Sequence, residues 1–230
     1  MISTKNNFVT YIIFFSFFFI GITVVTDYGV SQDEYSNRIH GFVLLNYVGN
    51  LIFPDLIQNI VGDKNIQKLD INYAGKSYGA YYPALQGVFE IIFQIKDKYN
   101  QFLLRHYINF SVFFISLIFF YKTLLLLTNS KNLSLIGFLI LGLSPRIFAN
   151  SFYNNIDIFF LSVVLISNYF FIKLYLNLNY KNLVLCALFT ALVVDHRIAG
   201  IYFLFQNLFF IFLISKKNLG FKKMLIYVIS

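Results

Sequence analysis

Six stretches of this chain are long, apolar and nearly free of charge: about 8–26, 106–128, 132–149, 157–177, 181–197 and 198–215, with a seventh beginning at Met224. A helix needs about 20 apolar residues to cross a bilayer core. The uncharged cores at 132–145 and 182–194 are shorter than that, so the ends of those helices must carry polar groups at the boundary. Nothing alternates over ten-residue segments as the strands of a membrane barrel would. The chain is 58% hydrophobic and 12% charged, against roughly 45–50% and 25% in a soluble domain. Lipid, not water, is therefore its main solvent. The expected fold class is all-α: a polytopic transmembrane helix bundle forming one integral membrane domain over 1–230. A large outer loop, about 27–104, is apolar enough at 39–53 and 81–95 to hold helices lying on the membrane surface.

The charges sort by side. With Lys5 inside and six crossings, Lys122, Lys131, Lys173, Lys181, Lys216, Lys217, Lys222 and Lys223 join it, as short cytoplasmic loops favour. All ten acids and all four arginines then lie outside. This sorting requires the segment from Tyr81 to Ile95 to lie along the outer interface without crossing. The first apolar stretch is long for a signal peptide, and TVVTDYGVSQ offers no small-x-small cleavage site, so an uncleaved first helix is expected.

Several function classes are disfavoured. The net charge of +8 is split between short loops instead of forming one basic face, which argues against nucleic acid. The single Cys186 excludes an internal disulfide, and His40, His106 and His196 lack zinc-ligand spacing. There is no GxxxxGK[ST], GxGxxG or GxSxG element.

Three polar clusters interrupt the apolar pattern at the outer boundary. The first is SQDEYSNRIHG, residues 31–41, in which Ser31 and Glu34 have the spacing of a capping box. Glu34 is then occupied by the helix start, and Asp33 is left over. The second is LSPRIFANSFYNNIDIFF, residues 143–160, which brings Arg146 and Asp157 to the same boundary. The third is VVDHRIAG, residues 193–200, where Asp195 and Arg197 either neutralise one another or serve a site. Ionisable groups at a membrane boundary are candidates for function. Carboxylates beside guanidinium forks suit a reaction in which a hydroxyl loses a proton and a phosphate leaves with negative charge.

In their order along the chain these elements resemble the GT-C membrane glycosyltransferases, in particular protein O-mannosyltransferases and aminoarabinose transferases that use polyprenyl-phosphate sugars. Asp33-Glu34 matches the acidic pair after the first span, and YYPAL at 81–85 resembles an aromatic-Pro-Pro-Leu element. Arg105 matches the Arg that opens the second span, SPRIFANSFYNNID the third outer turn, and DHRIAG a basic residue before a Gly. The resemblance spans nearly all of the chain but only the front of the family's usual length, which implies the N-terminal part of a longer protein.

The resemblance implies a hexosyl- or pentosyltransferase moving sugar from a polyprenyl-phosphate donor to a hydroxyl- or amine-bearing acceptor on a lipid, glycan or protein. Asp33, with Glu34, is the expected catalytic acid pair, Asp33 serving as base. Arg197, with Arg146 or Arg105, is expected to receive the leaving phosphate. Asp157 is expected to orient the acceptor or hold a divalent metal, with no metal assigned. Tyr78, Tyr81 and Tyr82 are candidates for stacking on sugar rings. The expected location is a bacterial inner (plasma) membrane with the site on the outer, periplasmic side. Two alternatives are a transporter or flippase of a lipid-linked sugar and a non-catalytic membrane subunit. A transporter places ionisable groups near the midplane in repeated halves, and this chain shows neither feature.

Overall fold

A computed structural model describes residues 5–52 and 79–218. The polar segment 59–78 with Tyr78, and the seventh apolar stretch from Met224, lie outside the described residues. Among the described residues nine α-helices follow one another: α1 Lys5–Val24, α2 Gln32–Ile52, α3 Tyr81–Ile92, α4 Lys98–Thr128, α5 Lys131–Gly142, α6 Pro145–Tyr153, α7 Asp157–Leu176, α8 Tyr180–His196 and α9 Ile201–Asn218. The fold is all-α, as expected.

Local sequence sets several of the helix ends. Asp97, Ser130 and Asn179 cap α4, α5 and α8 by accepting from the amides of Asn100, Leu133 and Asn182. Asn129 ends α4 in the left-handed conformation that Asn tolerates.

Among the described residues three helical segments are long and apolar enough to cross a membrane: Phe8–Asp27, Lys98–Thr128 and Asp157–Leu176. At 31 residues α4 is the longest, about 47 Å at 1.5 Å per residue. It therefore outreaches a bilayer core of roughly 30 Å. The segment expected to cross at 132–149 is not one continuous helix. It consists of α5 and α6, bent by 63°. Pro145 forces the preceding Ser144 out of helical conformation (ψ 117°), so α5 stops and α6 starts anew. The last two expected crossings correspond to α8 and α9, joined by the tight turn Ile198–Gly200. A Cβ on Gly200 would lie 2.2 Å from the Val193 carbonyl oxygen, so only glycine permits this turn.

An aromatic core knits the first half together. Phe17 of α1, Phe110, Phe113 and Leu117 of α4, Phe138 of α5 and Phe152 of α6 are buried against one another. Phe110 and Phe152 stack with centroids 5.2 Å apart. The outer surface of α1 shows Phe8, Tyr11, Phe15 and Phe19, the face a helix presents to lipid.

Helices α2 and α3 take up most of the segments 39–53 and 81–95 expected to be helical, α2 beginning earlier, at Gln32. They cross at Gly41, where a Cβ would come within 2.4 Å of the Pro83 backbone. At 12 residues, α3 is too short to span a bilayer. A bond from Gly79 N–H to the His196 carbonyl (3.0 Å) ties the start of α3 to the end of α8. The starts of α2, α3, α4 and α7 and the end of α8 thus gather at one end of the bundle.

Candidate active site

That gathering end contains two polar regions of different character. The first is a cavity of about 460 Å³, lined by Asp33, Ser36, Asn37 and His40 of α2, Asn154 and Asp157 before and at the start of α7, and Arg197 after α8. On α2 the lining residues fall at i, i+3, i+4 and i+7 from Asp33, which is one helical face. Asp33 is exposed. Burial lowers the pKa of His40, which favours its neutral form.

Across the cavity, Arg197 Nη2 meets Asp157 Oδ1 at 2.7 Å. Asp157 is itself fixed by Asn154, whose Nδ2 donates to Oδ2 (3.1 Å) while its Oδ1 accepts the Asp157 N–H (2.9 Å). Arg197 is thus ion-paired with Asp157, from the second polar cluster of the sequence. Asp195 is exposed and packs against Gly79.

The second region is a buried polar layer. Glu34 is 3% exposed, and its Oε2 accepts the Ser31 N–H at 2.6 Å, the Glu half of the expected capping box. The Glu34 N–H meets the Ser31 carbonyl oxygen (3.3 Å). Oε1 of Glu34 lies 2.7 Å from His106 Nε2. Glu90 lies between two guanidiniums: Arg38 donates from Nη2 at 2.9 Å, and Arg105 donates from Nε. Gln86 accepts from Arg105 Nη1 (3.1 Å) and from Asn155 (3.3 Å), and donates to Asn109 (2.8 Å). Asn37 donates to Asn155 at 2.9 Å, linking this layer to the cavity wall.

The seven predicted site residues therefore divide. Asp33, Asp157 and Arg197 line the cavity together. Glu34 sits beneath it. Arg105 and Tyr82 do not line the cavity. The Arg105 guanidinium is 2% exposed and committed to Glu90 and Gln86. Tyr82 is 1% exposed, stacks on Phe159 at 3.8 Å and donates its hydroxyl to Asn109. A ring so enclosed has no free face for a sugar. Burial likewise raises the Tyr81 phenol pKa, reinforced by Asp195 and then Tyr82. Arg146 is exposed on α6, outside the cavity lining. Among the described residues no group of three or more His, Cys, Asp or Glu is arranged to hold a metal.

Sequence reasoning gave no site role to Gln86, Glu90, His106 or Asn109. A signal existed for three of them. Gln86 with Glu90, and Arg105 with Asn109, are polar pairs at i, i+4 in otherwise apolar helices, a spacing that places each pair on one face.

Residues 88–230 match the family described as dolichyl-phosphate-mannose-protein mannosyltransferase. The chain belongs to this family. It is accordingly an integral membrane glycosyltransferase of the GT-C type. The family match takes in Arg105, Arg146, Asp157 and Arg197, while Asp33 and Glu34 precede it. No curated protein and no solved structure matches the chain.

Proposed function

We propose that the chain transfers a sugar from a polyprenyl-phosphate donor to an acceptor hydroxyl in the cavity, with Asp33 as general base and Arg197 as the phosphate-binding cation. The observation that carries this reading is that Asp33 and Arg197, from opposite ends of the chain, line one cavity. In the reaction Asp33 takes the acceptor proton and the acceptor oxygen forms a bond to the anomeric carbon. The bond from that carbon to phosphate breaks, and the phosphate leaves with the electron pair and the added negative charge. Attack opposite to the leaving group inverts the anomeric centre.

Arg197 suits the phosphate because its planar fork meets two oxygens at once. Its pair with Asp157 is 32% and 53% exposed. Such solvent-screened pairs are worth about 0–1 kcal/mol, so exchanging carboxylate for phosphate costs little. Asp157, held by Asn154, keeps the guanidinium aimed at the cavity until the donor arrives.

The outer-face assignment rests on the charges. Lys122, Lys131, Lys173 and Lys181 stand near the opposite ends of α4, α5, α7 and α8 from Asp33, Asp157 and Arg197. The six-crossing arrangement and the plasma-membrane location belong to the same reading. The test is sugar transfer from a panel of polyprenyl phosphates by purified full-length protein, paired with single cysteines at Asn154 and Asn179 in a Cys186→Ser background. Transfer is expected with at least one donor, and an impermeant thiol reagent should label position 154 but not 179 in intact cells. Transfer with none, or the reverse labelling, refutes the reading.

A further inference from the structure

Glu34 and His106 form a buried link that the proposed chemistry leaves unused. They lie 72 residues apart in sequence, yet both side chains are nearly inaccessible and meet at 2.7 Å. Neither lines the cavity. The Glu34 carboxylate serves one group per oxygen, Ser31 N–H at Oε2 and His106 Nε2 at Oε1. His106 Nδ1 is buried with no hydrogen-bond partner.

Those contacts assign the ring tautomer. A proton on Nε2 donates to the carboxylate and leaves only a lone pair at Nδ1. The alternative sets two lone pairs against each other at Nε2 and buries an unsatisfied N–H at Nδ1, which is the costlier fault. The bond thus runs from α4, a helix fixed by the aromatic core and by Arg105 with Glu90, into the first turn of α2.

The first turn of α2 also bears Asp33. Successive helical side chains diverge by about 100°, so the direction of Glu34 sets that of its neighbour. With Glu34 drawn inward to His106, Asp33 is turned to the cavity, and Ser36, Asn37 and His40 follow on the same face.

We propose that His106 is a positioning residue for the transfer reaction: by holding Glu34 it fixes the rotation of the first turn of α2 and aims Asp33 into the cavity. This inference rests on the reading of Asp33 as the base. Misplacing a reacting group by about 1 Å can cost 10²-fold in rate, so loss of the anchor should lower kcat more than it raises KM.

The experiment uses purified full-length protein, dolichyl phosphate mannose and a threonine-containing peptide. His106→Leu should lower kcat by about 10–100-fold with little change in KM. His106→Gln, whose amide can still donate to Glu34, should recover most of that loss, which a simple packing role does not predict. Once Asp33 is Asn, adding His106→Leu should have almost no further effect, because nothing remains to be aimed. Without any substrate, amide hydrogen exchange over residues 32–36 should quicken in His106→Leu and return towards normal in His106→Gln.

Unchanged kcat or unchanged exchange in His106→Leu overturns the proposal. So does a loss that Gln does not repair, or one that persists in the Asp33→Asn background. If the Leu variant does not fold, His106→Phe, an aromatic ring that cannot donate to Glu34, is held to the same outcomes. A fully active Asp33→Asn removes the base reading and this inference together. An impaired Asp33→Asn beside a normal His106→Leu removes the inference alone.

Discussion

The cavity and the polar layer beneath it draw on the same residue types, acids, arginines and amides, yet they are built in opposite ways. In the layer, Glu90 and Arg105 are almost inaccessible and heavily hydrogen-bonded. In the cavity, Asp33 is open to solvent, and Arg197 and Asp157 form a pair that solvent still reaches. The boundary between the two passes between neighbours in sequence, since Asp33 faces the cavity and Glu34 the interior. Dehydrated polar groups that hold one another by hydrogen bonds fix geometry and are costly to disturb. Loosely paired groups at an open cavity remain free to exchange partners with a substrate. Mutations in the two regions should therefore fail differently, the layer losing stability and the cavity losing function.

The strongest way to break this contrast is Glu90→Ala. It would leave the Arg38 and Arg105 cations facing one another in a buried site. Removing one member of a buried charge pair costs about 3–5 kcal/mol, so a large drop in melting temperature and poor yield are expected. A variant that melts normally would show that the layer is not a structural anchor.

A smaller effect, in binding instead of folding, is expected at Arg197. Losing a charge-assisted hydrogen bond there should weaken donor binding by about 1.5–3 kcal/mol, roughly 10–150-fold, with the melting temperature nearly unchanged. Arg197→Lys should recover little, because a point charge cannot reproduce the fork. Equal donor affinity in Arg197→Ala would reassign Arg197 to holding Asp157.

The smallest effect concerns acidity. The folded protein lowers the pKa of His40 below its usual 6.5. Above pH 6.5 the ring is neutral folded or unfolded and contributes nothing to pH dependence. As pH falls below 6.5 the unfolded chain takes up the proton first, so folding stability declines until the folded His40 protonates too. Asp33, Asp157 and Arg197 share the cavity with it. Thermal melts from pH 7 to 5 should show a shallower loss in His40→Gln than in the parent, and an identical slope would remove His40 from this account.

The sequence made much of the fold legible because span and surface helices follow from local apolar runs, and the Ser31 and Glu34 spacing already separated Glu34 from Asp33. Half of the candidate site could be read for the same reason: Asp33, Asp157 and Arg197 each stand at a helix end that apolar periodicity locates. What remained hidden depends on contacts distant in sequence. Arg105 at a helix start looked available, and only the fold shows that Glu90 occupies it. Tyr82 looked like an interfacial ring until Phe159 covered its face. The bend at Ser144 was signalled by Pro145 but masked by the apolar residues on either side.

The central claim is that catalysis belongs to the open acid and structure to the buried one, and Asp33→Asn tests it most directly. Turnover and melting temperature should be measured on the same purified full-length sample. General-base catalysis typically contributes 10²–10⁴-fold, and Asp33 is exposed, so turnover should fall by about that factor while the melting temperature stays within error of the parent. Full turnover in Asp33→Asn, or a loss explained by unfolding, would contradict the account.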